Sequence, residues 1–247
     1  MKLRFALPAL VALATPVDAL DFDTMSAGER AAFRAEVRAY LLENPEVLQE
    51  AIGVLRLREQ QAQAQLDMQL VQENAVAIFD DGSSFVGGNA DGDITIVEFM
   101  DYRCGFCKRA FPEVEALIAA DGNIRYIVKE YPVLGEQSEL AARFAIATQI
   151  VAGDAAYKDV HNTLMEFDGE ITPQSLTRVA EAFALDVSAI TAELGSNAVT
   201  DIITANRRLA QKMNITGTPT FVFEDQLVRG YVSGPQMEEL IASIRAE

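Results

Sequence analysis

An apolar, β-branched run, Ile94-Thr95-Ile96-Val97-Glu98-Phe99-Met100, leads almost directly into Cys104-Gly105-Phe106-Cys107. Such a run reads as a central strand buried on both faces, with Glu98 a charged intruder in it. After the cysteines, Phe111, Val114, Leu117 and Ile118 recur at helical spacing, and Ile124 to Val128 reads as a second strand. Strand, Cys-x-x-Cys, helix and strand in succession make a redox βαβ arrangement. The spacing also divides labour between the thiols. Cys104 falls at the N-terminal edge of the helix, where unpaired N–H groups and the positive dipole end favour a thiolate. An unperturbed thiol with a pKa of about 8.5 is only ~3% ionised at pH 7, whereas one lowered to about 6 is ~90% ionised. Cys107 lies nearly one turn inside, placed to attack a mixed disulfide on Cys104. Cys104 is thus expected as nucleophile and Cys107 as resolving thiol. A purely structural bridge here would close a loop of two intervening residues, which constrains the unfolded chain little.

These are the only cysteines among 247 residues, and His161 is the only histidine. Two thiols and one histidine do not make a closed zinc site, and His161 stands in a helix-like stretch without ligand spacing, so it reads as a core or surface residue. With 20 Lys+Arg against 37 Asp+Glu the net charge is −17, which repels a polyanion and argues against a nucleic-acid partner. At 50% hydrophobic and 23% charged residues the composition is that of a folded protein.

Residues 1–19 carry Lys2 and Arg4, then an apolar run from Phe5 to Ala14, then Val17-Asp18-Ala19. This is the pattern of a secretory signal peptide cleaved after Ala19, and the run is too short to span a bilayer. Residues 20–79 are helix-like. Ser26-Ala27-Gly28-Glu29 has the form of a capping box, and Asn44-Pro45 separates a first helix from a second one running from Pro45 to about residue 79. That second helix would be on the order of 50 Å long. Leu41, before that break, and Leu48, Leu55 and Ala62, after it, fall seven apart like one line of an oligomerisation seam, although the partner positions Asn44, Ala51, Arg58 and Gln65 are mostly polar; the alternative is a helix folded back on its own domain. Asp80 to Ser84 and Gly87 to Gly92 read as a turn-rich boundary, and a second domain over 80–247 follows.

In that domain residues 136–212 are almost wholly helix-like. Thr172-Pro173 and Leu185-Asp186 suggest helix starts, and Gly153, Gly169 and Gly195 suggest breaks. Beyond them come Gly217-Thr218-Pro219, a strand from Thr220 to Phe223, a turn at Glu224-Asp225, a strand from Leu227 to Tyr231, and a last helix opened by Ser233-Gly234-Pro235-Gln236.

Val97 to Lys108, together with Thr216-Gly217-Thr218-Pro219-Thr220-Phe221-Val222, resembles the DsbA family of periplasmic thiol-disulfide oxidoreductases. Tyr40-Leu41-Leu42-Glu43-Asn44-Pro45-Glu46-Val47-Leu48 is similar to the ScsC-like branch of that family, whose helical N-terminal region can mediate oligomerisation. The resemblance implies an α/β architecture: a thioredoxin fold with an inserted helical subdomain, preceded by an N-terminal helical extension. It implies exchange of disulfides with cysteine-containing exported proteins in the periplasm, a membrane-bound redox partner, and a homo-oligomer, a trimer, built through the N-terminal helices. It calls for no organic cofactor and no metal. Pro219 matches the family's cis-proline, which lacks a donor and turns the chain tightly, and Thr218 would sit beside the sulfurs and tune them. Glu98 matches the family's buried acidic residue, a proton acceptor for the resolving thiol, and burial should raise its pKa toward a useful range. Tyr131-Pro132-Val133-Leu134 resembles the family segment after the second strand.

Where the best-known oxidase motif has Pro-His between the cysteines, this chain has Gly105 and Phe106. A cationic His would stabilise the thiolate and make the disulfide oxidising, and Phe106 supplies no such charge, so an isomerase or reductase role gains weight. Gly105, Phe106 and Tyr102 are expected to hold substrate, the two aromatic rings as an apolar patch. Arg103, Lys108 and Arg109 read as solvated flanks. The alternatives are a DsbA-like dithiol oxidase, a copper-binding thiol protein using the two soft sulfurs, and a noncatalytic adaptor.

Overall fold

The computed structural model describes residues 23–246, so the signal-peptide expectation at residues 1–19 lies outside the described residues. The chain divides into two units, one ending at Arg58 and one spanning Glu59–Glu247.

In the first unit, helix α1 (Ala27–Glu43) opens with the expected capping box. The Ser26 hydroxyl accepts from the Glu29 N–H at 3.3 Å, and the Glu29 carboxylate accepts from the Ser26 N–H at 2.9 Å. Asn44 ends it, and α2 (Glu46–Glu73) begins just past Pro45. Neither α1 nor the part of α2 up to Arg58 buries a residue.

The second unit is built on a five-stranded sheet of order β1-β3-β2-β4-β5. The strands are β1 (Phe85–Gly88), β2 (Ile94–Met100), β3 (Ile124–Glu130), β4 (Thr220–Phe223) and β5 (Gln226–Arg229). β2 and β3 pair in parallel across α4 (Gly105–Asp121), and the other three pairings are antiparallel. The insertion comprises α5 (Glu136–Glu166), α6 (Pro173–Ala182), α7 (Val187–Glu193) and α8 (Asn197–Lys212), and α9 (Gly234–Ile244) closes the domain. Gly153, at φ 83°, breaks α5 where the sequence suggested.

Alternation along the strands sends side chains to two cores. Ile94, Ile96, Met100, Tyr126, Val128, Phe221 and Phe223 share one with the insertion, α4 and α9. Val97, Phe99, Ile127 and Val222 share the other with Val71, Ile78, Leu209, Met213 and Ile215. Helices therefore cover both faces, which is why the central strands read as continuous apolar runs.

Two expectations need correction. The helix expected from Pro45 to residue 79 stops at Glu73, and α3 (Ala75–Phe79) follows as a separate turn. At the junction the Asn74 amide donates to the Leu70 carbonyl at 2.8 Å, a local bond that competes with the helix ladder, and the redirected chain buries Ile78 completely. The stretch from Gly87, read as turn, contains the end of β1. With only Phe85 and Val86 to bury, its strand character comes from pairing with β3. Gly88 is required there: at φ 67° a Cβ would stand 2.3 Å from the Ile124 carbonyl oxygen.

Lys129, on β3, is fully buried and donates to Asp81 at 2.7 Å and to the Ala77 carbonyl at 2.8 Å, tying α3 and its following loop to the sheet. Burial alone would raise the Asp81 carboxyl, but the Lys129 ammonium and the Ser83 and Ser84 N–H groups outweigh it and hold it at about 2. Because the folded value lies below the ordinary 3.8, the stabilisation is complete above that pH and lost as pH falls through about 2. Asp81→Asn should therefore lower stability at pH 7 by about 3 kcal/mol, since it strands a buried ammonium. In urea titrations the deficit against wild type should stay constant down to about pH 5 and shrink between about pH 4 and 2.

Candidate active site

The end of β2 and the start of α4 bring the two cysteines together. Cys104 is the N-cap of α4, with extended backbone at φ −77° and ψ 114°, and its sulfur accepts from the Cys107 N–H at 3.4 Å. Both cysteines are free thiols and both are buried, Cys107 completely. Across from them the chain before β4 presents a cis Thr218-Pro219 peptide bond, and the protonated Cys104 thiol donates to the Thr218 carbonyl at 3.2 Å. Thr218, Pro219 and the thiol pair, separated by over a hundred residues, thus form one site.

The two sulfurs are electrostatically unlike. Cys104 falls to about 5: the Cys107 thiol, able to donate to a thiolate, is the largest cause, burial opposes it, and Thr218 and the N–H groups of Cys107 and Phe106 add. Burial pushes the Cys107 thiol far up, with the neighbouring Cys104 and the charge of Glu98 in the same direction. One group is made to ionise and the other to hold its proton.

Glu98 lies on β2, 2% exposed. Its Oε2 accepts from the Tyr126 hydroxyl and its Oε1 has no partner. Burial raises it to about 7 against the Tyr126 hydrogen bond, and a Cys104 thiolate raises it further. A carboxyl balanced near neutrality beside a thiol that resists ionisation can take up that thiol's proton.

Gly105 is exposed at the first turn of α4, and Phe106 stands 59% exposed, its ring centroid 6.5 Å from that of Tyr231. The expected patch of Phe106 with Tyr102 does not form, because Tyr102 is only 1% exposed. Its hydroxyl donates to Glu130 at 2.6 Å and lies 3.0 Å from His161 Nδ1, a polar demand that only the interior meets. The surface aromatic beside Phe106 is Tyr231, under the Arg109 guanidinium at 4.6 Å. Of the basic flanks, Arg103 and Arg109 are exposed, while Lys108 is half-buried and donates to the Phe167 carbonyl.

His161 is a core residue, packed against Tyr102, Phe111 and Tyr157, and burial holds it neutral by lowering its pKa to about 3. Sequence reasoning missed its neighbour Glu130, which ends β3 and accepts from Tyr102 and from Tyr157 at 2.7 Å. Burial pushes Glu130 up to about 8 despite both hydroxyls. The available signal was a second carboxylate closing a buried apolar strand, parallel to Glu98. Among the described residues no group of three or more His, Cys, Asp or Glu side chains is placed to hold a metal ion, and no helix is long and apolar enough to cross a membrane.

The family of DSBA-like thioredoxin domains matches residues 95–242, and that described as the copper resistance protein ScsC N-terminal domain matches residues 29–62. A thioredoxin-like oxidoreductase from Silicibacter pomeroyi DSS-3 is 37% identical, with a TM-score of 0.65 over 70% of this chain and 98% of its own. Proteus mirabilis ScsC in a transitional conformation is 26% identical, with a TM-score of 0.65 over 89% of this chain and 98% of its own. Disulfide bond formation protein D of Bacillus subtilis is 25% identical over 166 residues, 62% of this chain and 73% of its own. A similar segment lies in the Na(+)/H(+) antiporter NhaA 3 of Salinispora tropica, 29% identical over 136 residues, but the chain spans only 21% of that protein's length.

Titration of the reduced protein by thiolate absorbance at 240 nm should show one thiol with a midpoint near 5, absent in Cys104→Ser, and a second that stays protonated throughout the neutral range. Because the folded value of Cys104 lies below that of an unfolded thiol, the reduced protein should gain stability relative to the oxidised one, which has no such thiol, as pH rises from about 5 toward 8.5, on the order of 2 to 3 kcal/mol by pH 7; the raised Glu98 and Glu130, common to both forms, act in the opposite direction. Unfolding of the reduced and oxidised forms at pH 5 and pH 7 measures it.

Proposed function

We propose, since this chain belongs to the family of DSBA-like thioredoxin domains, that it is a thiol-disulfide oxidoreductase that reduces and isomerises disulfides of exported proteins in the periplasm. The observation that carries the reading is the asymmetry of the thiol pair, with Cys104 lowered to about 5 and Cys107 buried and pushed far up. The Cys104 thiolate attacks one sulfur of a substrate disulfide; that S–S bond breaks, a mixed disulfide forms, and the other substrate sulfur leaves as a thiolate. Cys107 then gives its proton to Glu98 and attacks the Cys104 sulfur. The substrate's second sulfur departs, and the pair holds the disulfide while the substrate has gained two electrons. The reverse sequence oxidises a dithiol.

Two features favour isomerisation. A thiol as deeply buried as Cys107 attacks the mixed disulfide only as Glu98 takes its proton, and that delay gives the substrate's own thiols time to attack, with a low-pKa Cys104 then a good leaving group. The N-terminal helices expose Val37, Tyr40, Leu42, Leu48, Ile52 and Leu55, each 41–66% accessible. Apolar rows on helices of this kind suit self-association, and a trimer would surround one substrate with several thiol pairs. Phe106 and Tyr231 offer the substrate-facing aromatic surface. A membrane-bound partner would return the pair to the dithiol state.

A second reading has one observation in its favour, the match of residues 29–62 to a family described by copper resistance. Two soft thiolates suit Cu(I), and stoichiometric copper uptake by the reduced protein without dithiol exchange would support it.

The deciding experiment is reactivation of a scrambled multi-disulfide protein in mildly reducing buffer, with oligomeric state followed by light scattering. The full chain should reactivate it and Cys104→Ser should not. Leu48→Glu with Leu55→Glu should dissociate the oligomer and lower reactivation about tenfold or more, while exchange with a small disulfide is unchanged. If the full chain oxidises a reduced dithiol peptide quickly but reactivates nothing, the protein is a dithiol oxidase.

A further inference from the structure

One buried carboxylate beside the cysteines has no part in the chemistry above. Asp101 follows β2 directly and is 2% exposed. Its Oδ1 accepts from the Arg103 N–H and the Ser138 hydroxyl, both at 2.7 Å. Its Oδ2 accepts from the Val133 N–H at 2.8 Å and the Leu134 N–H at 3.1 Å. Four neutral donors from two separate segments therefore converge on one side chain. Two belong to the loop after β3, one to the first turn of α5 and one to the turn that delivers Cys104.

The backbone of the same residue reaches both thiols. The Asp101 carbonyl accepts from the Cys104 N–H at 3.0 Å, and the Asp101 backbone is among the groups that act on the Cys107 thiol, in the direction that lowers it. The side chain clamps the scaffold and the main chain meets the reacting groups. A carboxylate needed only to satisfy the loop would leave the cysteines indifferent to its loss. Its loss would leave the Arg103 N–H without this acceptor and remove one tether on the turn that holds Cys104 as N-cap. The 3.4 Å contact between the Cys104 sulfur and the Cys107 N–H depends on that cap geometry.

We infer that Asp101 is a positioning residue for thiol-disulfide exchange, whose carboxylate locks the 101–104 turn to the 133–138 segment so that the Cys104 sulfur stays aligned with its N–H donors. The inference rests on the reading of Cys104 as the nucleophile.

The test compares wild type with Asp101→Ala, Asp101→Asn and Ser138→Ala in the full chain, after circular dichroism has shown each folded. Readouts are the 240 nm thiolate titration and the pH profile of reaction with a small aromatic disulfide. In Asp101→Ala the low titration midpoint should move up by about one pH unit, which lowers the thiolate fraction about tenfold well below the midpoint. A higher-pKa thiolate is intrinsically more nucleophilic, so reaction should be about threefold slower at pH 4 and about threefold faster above pH 8, with the two profiles crossing. Asp101→Asn keeps one acceptor oxygen and should fall between, and Ser138→Ala, which removes one of four bonds, should follow wild type. Should Asp101→Ala not fold, Asp101→Asn carries the same comparison. Folded variants whose titrations and profiles superimpose on wild type, with only melting temperature lowered, would overturn the inference. A wild type that titrates as described but exchanges nothing would instead sink the proposed function, while the titrations would still report the positioning.

Discussion

Ionisable groups inside a sheet are tolerated only when they find partners, and the two central strands and the turn that follows carry four: Glu98 on β2, Lys129 and Glu130 on β3, and Asp101 just past β2. Each partnership joins the sheet to a different neighbour. Lys129 holds Asp81 and the end of α3 on one face. Glu130 gathers Tyr102 and Tyr157, and so ties the active-site turn to the inserted helix α5 on the other. Asp101 binds the loop after β3 to the cysteine turn, and Glu98 takes Tyr126 from the adjacent strand. A loosely packed apolar core could slide, but these directional bonds fix which residues face which, because leaving any one donor or acceptor unmade costs about 1 to 3 kcal/mol.

The same burial that makes those partnerships obligatory sets the chemistry. Glu98 and Glu130 each leave one buried carboxyl oxygen without a partner, and burial raises both toward neutral pH. At pH 7 Glu130 is thus mostly the neutral acid, which suits its place among aromatic rings, while Glu98 is divided between its two forms and keeps the capacity to accept a proton. For Glu98 the consequence reaches the thiols: a Cys104 thiolate raises it, and an ionised Glu98 in turn raises Cys107. The three groups titrate as a coupled set, and an observed pH dependence belongs to the set and not to any one member.

Sequence made the chemical centre legible because its signals are local: a strand, a Cys-x-x-Cys and a helix are contiguous, and the helix terminus alone argues for a low-pKa Cys104. The bringing together of Thr218-Pro219 and Cys104 was visible only through resemblance, since the distance between them is bridged by tertiary packing. β1 has no sequence signal, because two apolar residues before a glycine pair carry no period and its strand identity is conferred by β3. The break at Asn74 is a side-chain competition that composition does not display. The place of Tyr102 is hidden for a related reason: an aromatic next to an active-site motif suits a surface patch as well as a core, and only the buried Glu130 across from it decides. The role of Asp101 is not legible in sequence, because its four donors are mostly backbone N–H groups, which have no signature there.

The first unit poses a different physical problem. Helix α1 is 17 residues long, buries nothing, and owes its start to a capping box worth about 1 kcal/mol. Isolated helices of this length are marginal in water, because nucleation is costly and propagation returns little per residue. Most helical stability in proteins comes instead from packing an apolar face, and here Val37, Tyr40, Leu48 and Leu55 remain accessible. The proposed self-association would supply the missing packing, and it would give Leu48 and Leu55, seven apart on the part of α2 that buries no residue, a surface to pack against. On that view the N-terminal helices gain their order from the assembly, and the number and spacing of thiol pairs presented to a substrate follow from the packing of an otherwise unstable segment.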